Sequence, residues 1–329
     1  MTTPVEGFGY DATLKPRFDM ARFLEPMGIK QMKIPMMKNL NDEPQYANPD
    51  DPLKKVHSGD TIIYQLPSYL WDDYEDDFLK EVKDKGAQLI GVVHDVEFIR
   101  FPGTDDKRSL KLYKQMDILL ISSQKLIDII KKRGINTPML VSNPWDYYVS
   151  GLISLLKDFK RTLNYAGNLD PNKATFIDEI KDVLIDVYGW ADKDRKFSDN
   201  INYKGAVMPE ELPSKLNHGF GLVWDGDIQQ NGQNGYGSYL EYNWSHKFSL
   251  YLASGLPVIV WSKANTAKLV EKYQIGFTID NLGELKGKLD QITKDQYSEY
   301  LTNIHPFHNR VVNGYYIQND ISRALDKLK

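Results

Sequence analysis

The sequence contains no cysteine, which excludes disulfide bonds, thiolate nucleophiles and cysteine-ligated metals. Its six histidines include no HExxH pair, and His305 and His308 flank Pro306, a spacing more typical of a turn than of a metal site. No apolar run approaches about 18 residues, the length that spans a bilayer. Residues 1–7 lack the basic-then-apolar pattern of a signal peptide. We therefore predict a cytoplasmic protein, whose contact with the inner face of the membrane would need only a small surface patch.

Neither sign of charge dominates, because 41 basic residues oppose 45 acidic ones and leave a formal net charge of -4. A mildly acidic chain lacks the broad positive field that nucleic acids require, so we expect no nucleic-acid partner. The 329 residues, of which 41% are hydrophobic, fit a globular protein of two domains.

Short apolar runs alternate with segments of helical period along the chain. In the first half, the runs predict strands at 31–35, 60–66, 88–94, 118–122 and 139–142. After a polar connection near 157–161, they predict strands at 162–165, 184–188, 202–205, 221–224, 257–261 and 276–279. Helices are predicted at 73–85, 109–115, 124–133, 175–183, 247–253, 265–273, 282–291, 294–303 and 317–328. The pattern predicts an α/β protein with two Rossmann-like domains facing an interdomain cleft, 1–158 and 159–312, and a helix at 313–329 that can cross back to the first.

The strongest local signal begins at Gly219, where a buried strand runs into Asp225-Gly-Asp227 and then into a glycine-rich loop. Glycine allows close approach of a ligand to the backbone, although a flexible surface turn is an alternative. Asp225 and Asp227 also form a DxD pair, which can hold a divalent ion. We expect no metal and no other cofactor, because two Rossmann-like domains handle a diphosphate with basic groups and a helix end.

The helix predicted at 247–253 can be capped by Ser245, which leaves free backbone N–H groups that would suit a phosphate. Lys247 lies in its first turn, where a cation is unfavourable for the helix dipole unless an anion binds there. The alternative is that Lys247 projects into solvent.

Two further glycine segments are candidate sites for binding a phosphate or a ribose of a nucleotide-sugar donor. Gly167 and Asn168 follow a strand, with Lys173 as a counter-charge, but they match neither the P-loop nor GxGxxG, so a structural turn is an alternative. Near the N-terminus, Gly7 and Gly9 precede two basic residues, Lys15 and Arg17. These could face the cleft, or the charges could belong to the start of a helix.

His94 and Asp95 end a buried strand of the first half, where parallel sheets place catalytic groups. Either side chain could take the proton from an attacking sugar hydroxyl, and Asp95 is the first choice. The alternative is a hydrogen-bonded histidine followed by an aspartate that caps the next turn.

The second half closely resembles bacterial galactofuranosyltransferases of the O-antigen β-1,6 type. The resemblance runs through 220–227 and then through Tyr236, Gly237, Tyr239, Tyr242, Asn243, His246, Lys247 and Ser249, and continues over 250–252 and 256–258. Residues 165–168, Lys173 and the His94-Asp95 pair also match this family. A more distant resemblance links the chain to streptococcal glucosyltransferases that extend glycans on serine-rich adhesins.

The resemblance implies a GT-B fold, a UDP-sugar donor and transfer to a growing glycan. It implies that Lys173 and Lys247 face the donor diphosphate and that Tyr239, Tyr242 and Asn243 help to form the nucleotide-sugar pocket. It also implies a homo-oligomer. The shortened first strand departs from the family pattern, which leaves the roles of residues 7–17 open.

These observations predict transfer of galactofuranose from UDP-galactofuranose, with inversion, to a sugar hydroxyl of a cell-surface glycan precursor that can be lipid-linked. Two alternatives keep the fold and use UDP-glucose or UDP-N-acetylglucosamine. A third is a non-catalytic subunit that binds nucleotide sugar, and a fourth is a UDP-sugar epimerase, which would need more carboxylates and histidines in the cleft.

Overall fold

In a computed structural model, the described residues are 14–32, 34, 38–40, 43–45, 50–226 and 235–329. The chain divides into two compact units. Unit 1 comprises Met1–Phe98, Gly103–Asn143 and Ile317–Lys329, and unit 2 comprises Ile99–Pro102 and Pro144–Tyr316. Among the helices in the described ranges, none is long and apolar enough to cross a membrane.

Unit 1 contains a four-stranded parallel sheet in the order β3-β4-β5-β6 and a separate antiparallel pair, β1-β2. Its strands are β1 Lys38–Leu40, β2 Glu43–Gln45, β3 Thr61–Leu66, β4 Gln88–Val93, β5 Ile118–Ile121 and β6 Met139–Val141. The helices of this part of the chain are α1 Lys15–Leu24, α2 Asp50–Leu53, α3 Asp72–Asp84, α4 Glu97–Arg100, α5 Lys107–Gln115 and α6 Gln124–Lys132. The central strands β4 and β5 are almost entirely apolar and buried, as expected for a parallel sheet covered on both faces.

Unit 2 contains a six-stranded parallel sheet in the order β12-β11-β10-β7-β8-β9. Its strands are β7 Asp158–Ala166, β8 Ile185–Tyr188, β9 Ile201–Gly205, β10 His218–Val223, β11 Val258–Trp261 and β12 Gly276–Ile279. Its helices are α7 Pro171–Ala174, α8 Leu212–Lys215, α9 Gly235–Tyr239, α10 His246–Ser254, α11 Ala267–Tyr273, α12 Leu285–Gln291 and α13 Lys294–Val311. The last helix, α14, spans Tyr315–Leu328 and lies in unit 1 from Ile317 onward. Strand order reverses between β7 and β10, which is where sheets of this type bind ligands.

Two parallel α/β sheets in succession confirm the predicted fold class. The predicted division at 158/159 lies later in the chain than the observed division between Asn143 and Pro144. Residues 144–157 belong to unit 2, and Tyr147 attaches them to it through two hydrogen bonds. Its N–H donates to Val311 O at 3.0 Å and its hydroxyl to Pro209 O at 2.7 Å.

The predicted polar connection at 157–161 is wrong, because β7 already begins at Asp158. Phe159 packs against Tyr297 with ring centroids 5.1 Å apart. The Arg161 guanidinium donates to the carbonyls of Leu289 and Ile292, at 2.9 and 2.8 Å. These tertiary contacts recruit a polar segment into the sheet, which local sequence does not reveal.

Three other local predictions need correction. The predicted helix at 175–183 is wrong, because Thr175–Glu179 form a 3-10 helix directly after the short α7 and residues 180–183 are not helical. The predicted turn at Pro306 lies inside α13, where His308 Nδ1 is 2.9 Å from Ala253 O. Of the predicted strand at 31–35, Gln31 and Ile34 form single bridges, and residues 33 and 35 lie outside the described ranges.

Candidate functional site

The candidate site lies at the carboxyl edge of the unit 2 sheet, where β7 and β10 end side by side. These strands are parallel neighbours, with Gly221 in register with Asn164. β7 therefore delivers Gly167 to the same edge at which β10 delivers Asp225. This is the point where the strand order reverses.

Helix α10 is fixed against these strands by Tyr251. A Cβ atom at Gly221 would lie 2.2 Å from the Tyr251 ring, so the ring occupies the space that glycine leaves. The Tyr251 hydroxyl accepts from Ala166 N–H at 3.1 Å and lies 2.9 Å from Asn164 O. This packing brings the first turn of α10, with Lys247, to the edge where β7 and β10 end.

Four side chains meet at this edge. Asp225 Oδ1 lies 2.7 Å from Lys247 Nζ, 4.0 Å from Lys173 Nζ and 3.5 Å from the Tyr165 hydroxyl. Lys247 Nζ also lies 5.2 Å from the centroid of the Tyr165 ring. We call Lys173, Asp225 and Lys247 the Asp225 cluster. Its two ammonium groups outnumber its one carboxylate, so the cluster suits an anion.

Burial lowers the pKa of Lys247 to about 8. The carboxylate of Asp225 opposes this effect, and the positive charge of Lys173 adds to it. Burial also raises the pKa of Tyr165 well above its ordinary value, with a further contribution from Asp225. An ammonium held in such a place costs free energy that an anionic ligand would recover.

Gly167 and Asn168 have different roles in the turn after β7. A Cβ atom at Gly167 would lie 3.0 Å from Lys247 Cε, so the absence of a side chain leaves room for the lysine. The Gly226 N–H donates to Lys173 O at 2.8 Å, which ties the Asp225 turn to α7. Asn168 Oδ1 accepts from Asp170 N–H at 2.9 Å and so shapes the turn into α7.

Helix α10 begins at His246, one residue before the predicted start, and the Ser245 hydroxyl does not make the predicted capping hydrogen bond. The His246 ring packs on the Tyr147 ring, with centroids 4.9 Å apart. Ser249 has no exposed surface, and its hydroxyl donates to Trp145 O at 2.6 Å. We therefore reassign Ser249 from donor contact to support of α10.

The segment before α10 carries the other predicted donor residues. Gly237 and Tyr239 lie in α9, and Tyr239 is buried. The N–H groups of Tyr242 and Asn243 both donate to Tyr239 O, at 2.9 and 3.2 Å. Asn243 Oδ1 is buried and has no hydrogen-bond partner among the described residues. Tyr236 is in α9, and Asp227 lies outside the described ranges.

In unit 1, the predicted catalytic residues directly follow β4. His94 is buried, and its Nε2 lies 2.9 Å from Oε1 of Gln65, a residue of β3. Because an amide oxygen only accepts, this contact places the imidazole proton on Nε2. Asp95 follows at the start of the next turn and is half-buried.

The burial of Arg17 in α1 does not agree with its predicted donor role, whereas the donor role of Lys15 stays a prediction. Arg17 is 1% exposed, and its guanidinium donates to the carbonyls of Gln65 (3.3 Å) and Pro67. Lys15 Nζ is paired with Asp19 at 2.5 Å. We reassign Arg17 to support of the turn after β3. Gly7 and Gly9 lie outside the described residues.

Arg195 is a residue that the sequence analysis missed. Its guanidinium donates to Leu169 O at 2.5 Å and pairs with Asp178 at 3.2 Å. It therefore holds both ends of the α7 segment that carries Lys173. Arg195 lies in a run of charged residues that is typical of a solvated surface, so the local sequence does not distinguish it from its neighbours. Within the described part of the chain, no three or more histidine and acidic side chains are grouped so that they could hold a metal ion.

Comparison with known proteins identifies the family. The profile "Glucosyltransferase 3-like, N-terminal domain" matches residues 2–144, and "Glucosyltransferase 3-like, C-terminal domain" matches 163–324. The chain therefore belongs to the glucosyltransferase 3-like family. It is a glycosyltransferase, as the sequence predicted.

Two relatives also confirm the resemblance stated from the sequence. Glucosyltransferase 3 of Streptococcus parasanguinis is 26% identical over 275 residues, covering 82% of this chain and 80% of the relative. Beta-1,6-galactofuranosyltransferase WbbI of Escherichia coli (strain K12) is 27% identical over 248 residues, covering 74% and 72%.

A solved structure supports the GT-B-like fold. The alpha-glucosyltransferase in complex with UDP and a 13-mer DNA superposes with a TM-score of 0.64 at 10% identity, covering 99% of this chain and 98% of that one. At this identity the similarity concerns the fold alone.

Proposed function

We propose that this glycosyltransferase uses a UDP-sugar and transfers its hexosyl group to a sugar hydroxyl of a cell-surface glycan precursor. The observation that carries the proposal is the Asp225 cluster, in which Lys247 and Lys173 stand beside the start of α10. Two ammonium groups and a helix N-terminus at a sheet switch point suit the diphosphate of such a donor. The solved alpha-glucosyltransferase, which has a similar fold, was determined in complex with UDP.

The cluster would act on the leaving group. When the bond between the sugar C1 and the β-phosphate oxygen breaks, negative charge grows on the diphosphate, and Lys247 and Lys173 would stabilise it. One well-placed donor of this kind is worth about 3–4 kcal/mol of transition-state stabilisation. No metal ion is needed in this scheme, because the lysines supply the positive charge.

The proton from the acceptor hydroxyl needs a base. In a single displacement, the acceptor oxygen forms a bond to C1, its proton passes to a carboxylate, and UDP leaves with the electron pair of the broken bond. Asp95 is the proposed base, with His94 second, and an α-linked donor would give a β-linked product.

The proposed donor is UDP-galactofuranose, which the resemblance of the second half to galactofuranosyltransferases supports. The second candidate is UDP-glucose, which the family description and the glucosyltransferase relatives favour. Initial rates of donor hydrolysis with UDP-galactofuranose, UDP-glucose and UDP-N-acetylglucosamine would separate them. A kcat/KM for UDP-galactofuranose below that for either other donor would contradict the proposal that it is the natural donor.

Titration calorimetry with UDP tests the donor site directly. We expect the unmodified protein to bind UDP and Lys247→Ala to lose about 100-fold or more in turnover while remaining folded. The control is Lys268→Ala, which removes an exposed lysine of α11 in the same unit. No UDP binding at millimolar concentration, or near-normal turnover in Lys247→Ala, would contradict the proposal. UDP binding without transfer or hydrolysis would favour a non-catalytic subunit.

A further inference from the structure

The carboxylate of Asp225 stands inside a site that we propose for a diphosphate, and a carboxylate repels phosphate. Asp225 is 8% exposed and directly follows Trp224, which is buried, at the end of β10. Its position therefore calls for a role other than a chance surface charge.

The contacts of Asp225 are with the groups that would bind the donor. Its Oδ1 accepts from Lys247 Nζ at 2.7 Å and faces Lys173 Nζ at 4.0 Å. The same oxygen lies 3.5 Å from the Tyr165 hydroxyl. One carboxylate oxygen thus faces both ammonium groups and offsets part of their mutual repulsion.

Lys247 has little freedom to move from this place. Its side chain is 11% exposed, Gly167 lies against its Cε, and the Tyr165 ring lies 5.2 Å from its Nζ. The carboxylate therefore holds the ammonium in one position, which reduces the ordering cost when an anion binds.

We propose that Asp225 is a positioning residue: it fixes the Lys247 ammonium and keeps it charged at neutral pH, and it does not itself contact the donor. This role rests on the proposed function of the Asp225 cluster as a diphosphate site.

The charges around Lys247 explain why a counter-ion is needed. Besides Asp225, it is faced by Lys173 of α7 and by Arg100, whose segment belongs to unit 2. Tyr165 of β7 and Tyr251 of α10 are held neutral there, since burial raises the pKa of each. Burial, Lys173 and Arg100 all lower the pKa of Lys247. Among these neighbours, Asp225 is the group that raises this pKa and so favours the charged lysine.

The test compares Asp225→Asn with the unmodified protein in UDP titrations from about pH 7 to about pH 9. At each pH, the ratio of the two proteins' affinities for UDP is compared, because the ionisation of UDP affects both affinities equally. We expect the affinity of the unmodified protein, divided by that of the variant, to rise about fivefold from about pH 7 to about pH 9, because Lys247 of the variant loses its proton about one pH unit lower. The lost repulsion between the carboxylate and the diphosphate acts at both pH values and does not produce this rise. A ratio that stays constant across this range would overturn the proposal in favour of a direct donor contact or a structural role.

A second measurement needs no donor. The NMR signal of ¹³Cε-labelled lysine follows the ionisation of Lys247, with Lys247→Met for assignment. We expect a lower midpoint in Asp225→Asn and an unchanged one in Asp186→Asn, which alters another buried carboxylate, paired with His218 at 3.3 Å at the start of β8. An unchanged midpoint in Asp225→Asn overturns the proposal. Because this measurement is independent of UDP, failure to bind UDP would contradict the proposed function alone.

Discussion

Lys247 and Asp225 are joined at 2.7 Å, although 22 positions and a glycine-rich loop separate them in the sequence. Asp225 follows β10 and Lys247 opens α10, so the pair links the end of the central strand to the start of the helix that packs on it. The sequence predicted a donor role for each residue but not that they pair with each other. Because Asp225 holds Lys247 in one place, substitutions near the pair can test the position of the lysine as well as its charge.

The space around Lys247 gives the first prediction. In Gly167→Ala, the new Cβ would lie 3.0 Å from Lys247 Cε, so the lysine side chain must shift and its 2.7 Å contact with Asp225 is disturbed. We expect UDP affinity to fall by about tenfold, which corresponds to about 1.4 kcal/mol, with little change in the melting temperature. Titration calorimetry and thermal denaturation measure the two effects.

Gly287→Ala is the matched control for this substitution. It lies in α12, and nothing is within 4 Å of the added methyl group. We expect unchanged UDP affinity and slightly higher stability, because alanine favours a helix. Equal UDP affinity in Gly167→Ala and the unmodified protein would show that Lys247 has room to accommodate the methyl group.

The sequence predicted the parts of this fold that local pattern determines. Buried apolar strands such as β5 and β11 are identified within a residue or so, because a parallel sheet buries both faces. The same holds for α10, whose start after Ser245 places Lys247 in its first turn.

What the sequence could not predict depends on tertiary contacts. The polar start of β7 and the irregular segment after Lys173 are set by Arg161 and Arg195, which bind backbone carbonyls distant in sequence. Ser249 and Arg17 look like ligand residues because they are polar, and only their burial shows that they bond to backbone carbonyls. Polarity is visible in a sequence, but the partner that satisfies it is not.

Arg17 gives the second prediction. Replacing it by methionine removes the donors to one buried and one partly buried carbonyl, and a buried carbonyl left unsatisfied costs about 1–3 kcal/mol. We expect a lower free energy of unfolding in urea and an unchanged UDP affinity in the folded variant. The control is Arg22→Met, which removes an exposed arginine of the same helix. Weaker UDP binding in Arg17→Met without loss of stability would restore its predicted donor role.

The third prediction separates the two candidate bases. Asp95→Asn keeps the size of the side chain but removes the proton acceptor, so we expect turnover to fall by about 100-fold to 10,000-fold. UDP affinity should stay unchanged. Initial rates of UDP-sugar hydrolysis measure the loss, since water as acceptor also needs a base.

His94 serves as the comparison for Asp95. Its Nε2 donates to Gln65, which leaves Nδ1 as the ring nitrogen able to accept a proton, and His94→Gln removes that acceptor. Because Asp95 is the proposed base, we expect His94→Gln to lower turnover less than Asp95→Asn does. A larger loss in His94→Gln, with folding intact, would make the histidine the base.

The attachment of α14 within unit 1 gives the fourth prediction. Asp320 is buried, and it accepts from the N–H and the side-chain amide of Asn143, at 2.8 and 2.6 Å. Burial raises the pKa of Asp320 to about 6, against the opposing hydrogen bonds and Arg323. The folded protein therefore binds more protons than the unfolded chain between about pH 4 and pH 6, and stability from this group falls as the pH rises through that window.

Asp320→Asn removes this pH dependence. A shift of two pKa units corresponds to about 3 kcal/mol, so the difference in unfolding free energy between variant and unmodified protein should move by up to that amount, in favour of the variant, from about pH 4 to about pH 7. Urea denaturation at a series of pH values measures it. Asp326→Asn, at an exposed position of the same helix, should leave the pH dependence unchanged. Parallel stability curves for Asp320→Asn and the unmodified protein would show that the carboxyl is already ionised at low pH, because Asn143 and Arg323 then outweigh its burial.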